Sequence, residues 1–145
     1  MKKPVLFAAI LAAIVVALLP NSVFSEPKAD SPGAGPMLSH NVFFKLAEPS
    51  DEARKALVDA CNDLLAGHPG TVFYAAGVLA GEFDREVNDL DFDVALHLVF
   101  ADKAAHDAYQ EHPRHTRFVN EHRESWAKVR VFDSWVGQPA ATEPQ

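Results

Sequence analysis

Ala108-Tyr109-Gln110-Glu111-His112-Pro113-Arg114-His115-Thr116-Arg117-Phe118-Val119 is the stretch that sets the architecture. A residue that precedes proline is pushed out of the α region, so one helix is expected to end at Glu111 or His112. Proline suits the first position of a helix, so a second begins at Pro113. In that second helix His115, Phe118, Val119 and His122 fall at i, i+3, i+4 and i+7. This spacing puts two imidazoles on the apolar stripe that seeks the core. Tyr109 lies one turn before the break.

On either side, the chain alternates between the two periods of secondary structure. Leu38, His40, Val42, Phe44 and Leu46 occupy every second position, which predicts a strand with His40 on its more apolar face. Ser50 is a good helix N-cap, and Ala53, Ala56, Leu57, Ala60, Cys61, Leu64 and Leu65 follow at intervals of three and four. Gly67-His68-Pro69-Gly70 stops that helix, with His68 expected in an exposed turn. Thr71 to Ala80 reads as a second strand. Gly81 to Asp91 reads as a solvated acidic loop whose spacing does not match a calcium loop. Phe92, Val94, Leu96, Leu98 and Phe100 form one unbroken apolar face of a third strand. Asp102 caps the next helix, and Trp126 to Val136 is the last strand.

Strand, helix, strand, strand, broken helix, strand is the split βαβ, ferredoxin-like plan. The expected fold class is therefore α+β: a four-stranded antiparallel sheet with its helices on one face. The other face carries apolar residues and is left uncovered in a monomer, which points to a second copy packed against it, as in a dimeric α/β barrel.

Composition limits the rest. The chain has 145 residues and a formal net charge of −7, which argues against a nucleic-acid surface. Val5 to Leu19 is an unbroken apolar run behind Lys2 and Lys3, shorter than the ~20 residues of a membrane span. Residues 1–25 are read as a signal peptide, with an uncleaved anchor as the alternative. This implies export to a periplasm or the outside, with no stable membrane span in the mature form. Residues 26–36 read as a flexible linker and 137–145 as a disordered tail. Cys61 is the only cysteine and lies on an apolar helix face, so it is expected to be a buried small hydrophobe with no disulfide. His112, His115 and His122 are split by helical spacing and do not compose a closed zinc site, so no metal is expected.

Tyr109-Gln110-Glu111-His112-Pro113-Arg114-His115, with Leu38 to Lys45, Asp91 to Leu96 and Arg130-Val131-Phe132-Asp133, resembles the stress-responsive A/B barrel domain over residues 37–136. Its polyketide-cyclase branch carries the same Tyr-x-x-His-Pro-x-His segment. Resemblance to that branch implies a cofactor-independent condensation of a carbonyl compound in a pocket between sheet and helices. Tyr109 and His115 match the catalytic pair. His40 matches a pocket histidine, and Val94 stands where the branch has a further histidine. With His112, these residues make up the expected ligand-binding set for a small apolar or carbonyl ligand. The leading expectation is a homodimeric barrel domain with a small-ligand pocket and no assignable reaction, its tyrosine and histidines hydrogen-bonding backbone groups freed at the helix break; a cyclase-like or lyase-like enzyme using the Tyr/His pair is the alternative.

Overall fold

The computed structural model describes residues 35–137. Its elements are β1 (Met37–Leu46), α1 (Asp51–Leu65), β2 (Thr71–Val78), β3 (Val94–Phe100), α2 (Lys103–Glu111), α3 (Pro113–His122) and β4 (Trp126–Val136), with a 3-10 turn at Arg123–Ser125 before β4. The expected signal segment, most of the linker and most of the tail lie outside the described residues. Among the described residues, no helix is long and apolar enough to cross a membrane.

All strand pairs are antiparallel, in the order β2-β3-β1-β4. The alternation in β1 is carried through the register. Leu38, Val42, Phe44 and Leu46 are buried beneath the helices, and His40 is buried with them. Facing residues on β3 complete that layer, with His40 opposite Leu98, Val42 opposite Leu96 and Phe44 opposite Val94. The core is closed from above by Leu57, Cys61 and Leu65 of α1, Tyr109 of α2 and Phe118 of α3. Ser50 caps α1 by accepting from the Ala53 backbone N–H at 3.1 Å. Cys61 is fully buried, and desolvation pushes its thiol pKa up to about 12, so it is a core side chain rather than a nucleophile.

Three expectations change. The third strand starts at Val94, and Phe92 does not share its face: the Phe92 ring packs edge-on against Phe43, 5.0 Å away, on the uncovered face. The cause is Asp93. Its carboxylate accepts from the Leu46 N–H at 3.0 Å and from Arg54 Nη2 at 3.0 Å, which draws this residue inward and shifts the alternation by one. The second strand ends at Val78. Finally, His68 is not exposed but 4 % accessible. A positive φ at Gly67 and Gly70 folds the turn tightly back, and a Cβ on Gly70 would lie 2.4 Å from Ala105 Cβ. This close approach tucks His68 beneath α2.

The acidic loop is tied to β4 by charge. Lys128 Nζ donates to Asp91 at 3.0 Å, and Arg130 pairs with Asp89. These acids neutralise strand cations.

Candidate active site

The helix break works as the sequence suggests. His112 has an extended ψ of 137°, its backbone N–H donates to the Tyr109 carbonyl, and its Nδ1 accepts from the Arg114 N–H at 3.1 Å. His112 is therefore the N-cap of α3. The reversal leaves the Gln110 carbonyl free, and His115 Nδ1 lies 3.0 Å from it. A carbonyl can only accept, so Nδ1 carries the proton, and in the neutral ring Nε2 keeps its lone pair. Burial lowers the His115 pKa from its ordinary 6.5, partly opposed by that backbone hydrogen bond, so the ring is neutral at neutral pH.

Tyr109 is 2 % exposed and sits among rings. Centroids lie 4.7 Å away at His115, 4.9 Å at His68 and 5.1 Å at Phe100. Desolvation raises its hydroxyl pKa well above the ordinary value, so it remains a protonated donor.

α2 and α3 lean over β1 and β3 but leave the inner side of β4 bare. Val129 and Val131 point to that side, yet are 38 % and 49 % exposed. Between them and the helices lies an open cavity of about 390 Å³. His40, His106, Tyr109, Gln110, His115 and Asp133 supply its polar wall, and Phe118, Val119, Trp126, Val129 and Val131 much of its apolar wall. The volume is that of a small-molecule site.

Of the residues singled out from sequence, the structure brings His40, Tyr109 and His115 together on this cavity. Val94 and His112 are elsewhere. Val94 is fully buried in the core at the far end of the His40 row, and His112 packs on His68 with ring centroids 4.5 Å apart. His106 and Asp133 are the additions. Asp133 faces His40 directly across the β1–β4 ladder, and its Oδ1 is 2.6 Å from His40 Nδ1. His106 is one turn before Tyr109 on α2, and its ring lies 5.2 Å from that of His40. Its i, i+3 spacing from Tyr109 was a readable signal. The pairing of β1 with β4, which delivers Asp133, was not available from local pattern. Among the described residues, His40, His106 and Asp133 also form a potential metal-ligand group, different from the histidines weighed in the sequence.

Buried His68 and partly buried His115 make stability pH-dependent. Desolvation lowers the pKa of both His68 and His115 below 6.5 in the folded chain, with neighbouring imidazoles adding to it at both and Arg114 at His68. Below 6.5 the unfolded chain binds protons that the folded chain refuses. The stability these rings contribute is complete above 6.5 and is lost as pH falls through their folded values. The urea midpoint is expected to drop on acidification below 6.5; a midpoint that rises there would contradict the burial of these rings.

An α+β sheet of this order, with helices on one face and a cavity beneath them, defines a ferredoxin-like domain. The model of the stress responsive A/B barrel domain matches residues 38–136, and the chain belongs to that family. Among solved structures it is similar to a dimeric ferredoxin-like protein of unknown function from Thermobifida fusca. That match has 19% identity, covers 71% of this chain and 93% of the other, and has a TM-score of 0.58. A Dabb family protein with a ferredoxin-like fold from Mesorhizobium loti is 23% identical, with 68% and 95% covered and a TM-score of 0.58. The hydroxynitrile lyase of Passiflora edulis is 18% identical, with 74% and 97% covered and a TM-score of 0.56. At these identities the three share the fold. No curated protein matches the sequence.

Proposed function

We propose that the protein is an exported homodimer that binds a small, largely apolar carbonyl compound in the β4-side cavity and moves a proton next to the carbonyl, in a cyclase-like or lyase-like reaction. The observation that carries this is the pairing of a neutral His115, with its tautomer set by Gln110, and a protonated Tyr109 on one 390 Å³ cavity. In this reaction His115 Nε2 takes a proton from the carbon beside the carbonyl. The C–H electron pair moves into the enolate, and the Tyr109 hydroxyl hydrogen-bonds the developing oxyanion. The enolate carbon then adds to a second carbonyl, whose oxygen takes the proton from His115 Nε2, or that proton returns to the carbon; no redox partner enters the balance. A solved neighbour named as a hydroxynitrile lyase is in keeping with a lyase on this fold.

A second reading is binding without turnover. It is favoured by Val94, an aliphatic core residue where the cyclase branch is expected to have a histidine. Both readings require occupancy. Trp126 lines the cavity and Trp135 does not, so fluorescence of the Trp135→Phe variant reports from the cavity wall. A saturable change with aromatic ketones or β-diketones is expected. No change across such a panel would remove both readings.

The homodimer reading rests on the uncovered sheet face. Phe43, Phe92 and Phe132 interlock there, and Phe73 and Phe132 are each 53 % exposed. A contiguous apolar face of this kind favours a partner, and the Thermobifida neighbour is itself described as dimeric. Phe132→Asp places a charge in that face and is expected to turn a sedimenting dimer into a monomer. A wild-type monomer at micromolar concentration would sink this part of the proposal.

A further inference from the structure

His40, His106 and Asp133 come from three elements, β1, α2 and β4, and meet on the polar wall of the cavity. One ring nitrogen from each imidazole and one carboxylate oxygen lie within 4.8 Å of one another. We propose that these three side chains form a divalent transition-metal site, two imidazoles and one carboxylate, whose remaining coordination positions open into the cavity.

Two nitrogens and one oxygen are the donor set of catalytic zinc and of open non-haem iron sites. Metal bonds of ~2.0–2.2 Å set the ligand atoms roughly 3 Å apart, so the His40–Asp133 hydrogen bond at 2.6 Å opens while His106 draws in. The framework allows this. His40 is fixed in the sheet and 5 % exposed, while the Asp133 side chain is 48 % exposed and free to turn its carboxylate. Asp133 is already held against His40 by strand register, at 2.6 Å. His106 has the outer partner that metal-binding histidines use. Asp107 Oδ1 lies 3.3 Å from its Nδ1, which orients the ring and leaves Nε2 for a ligand. Gln110, whose amide is 3.2 Å from that Nε2, offers a further oxygen if it turns. A cation here would sit in the same cavity as Tyr109 and His115, where it would polarise a bound carbonyl oxygen. The site stands on its own donor geometry and does not rest on the proton-transfer reading.

The test is equilibrium dialysis of the metal-stripped protein against zinc at micromolar concentration, followed by visible spectroscopy with cobalt(II) in zinc's place. One ion per chain is expected, with cobalt bands that zinc bleaches. His106→Gln and Asp133→Asn should each abolish the stoichiometric ion. Asp133 is half-exposed, so its variant keeps the fold, checked by an unchanged melting curve. His97→Gln, on the opposite sheet face, should retain the ion. Less than one ion per chain in the wild type, or one ion retained in either His106→Gln or Asp133→Asn, overturns the proposal. Neither result would depend on any turnover, so a failed metal site and a failed Tyr109–His115 site are told apart.

Discussion

His115→Ala is expected to lower any carbonyl turnover by the protein by roughly 10²–10⁴-fold, the range contributed by a positioned general base. It should leave thermal stability nearly unchanged, because His115 is only partly buried and its one hydrogen bond caps a helix end. Tyr109→Phe keeps the ring packing against His68 and Phe100 and removes only the hydroxyl, so its loss should fall on the chemical step rather than on folding. Because the folded His115 pKa lies below 6.5, the acid limb of the rate profile should also lie below 6.5. An acid limb at or above that value would mean that another group is the base. A His115→Ala variant with wild-type turnover would remove the residue from the mechanism altogether.

Asp93→Ala should be strongly damaging to the fold. Asp93 is 3 % exposed, and its carboxylate does two things at once: it accepts from the buried Leu46 N–H and pairs with Arg54 Nε and Nη2 at 3.2 and 3.0 Å. Truncation strands the Leu46 backbone donor and leaves Arg54 with only the exposed Asp51 as partner. Breaking a buried pair costs ~3–5 kcal/mol. Arg54 is 31 % exposed and recovers some hydration, which brings the expected loss to about 3 kcal/mol. For a domain of this size that is a fall of ~10–20 °C in Tm. Urea denaturation measures it directly, and a loss below ~1 kcal/mol would show that water replaces the carboxylate without strain. Asp93→Asn, which keeps one acceptor oxygen, should lose less.

These two residues show what local pattern conveys and what it leaves out. The β1 alternation, the three-and-four spacing of α1 and the His-Pro break were all legible, because each follows from neighbours within one element. Together they were enough for a four-stranded antiparallel sheet with helices on one face and for a tyrosine and a histidine set about the helix break. Phe92 was placed on the wrong face because strict alternation takes no account of a carboxylate that is drawn inward for its hydrogen bonds. His68 was placed in solvent because His-Pro-Gly reads as a turn. Its burial comes from the glycine-permitted approach of that turn to Ala105 in α2, a contact distant in sequence. Asp133 was invisible for the same reason: only the pairing of β1 with β4 sets it opposite His40.

The most direct measurement is proton exchange in heavy water. NMR of a small β-diketone or aryl ketone with the protein follows deuterium entering the carbon beside the carbonyl, and needs no knowledge of the natural product. The account predicts exchange faster than in buffer, saturable with ketone and lost in His115→Ala. Saturable binding with exchange no faster than buffer would contradict proton transfer and leave a ligand-binding domain.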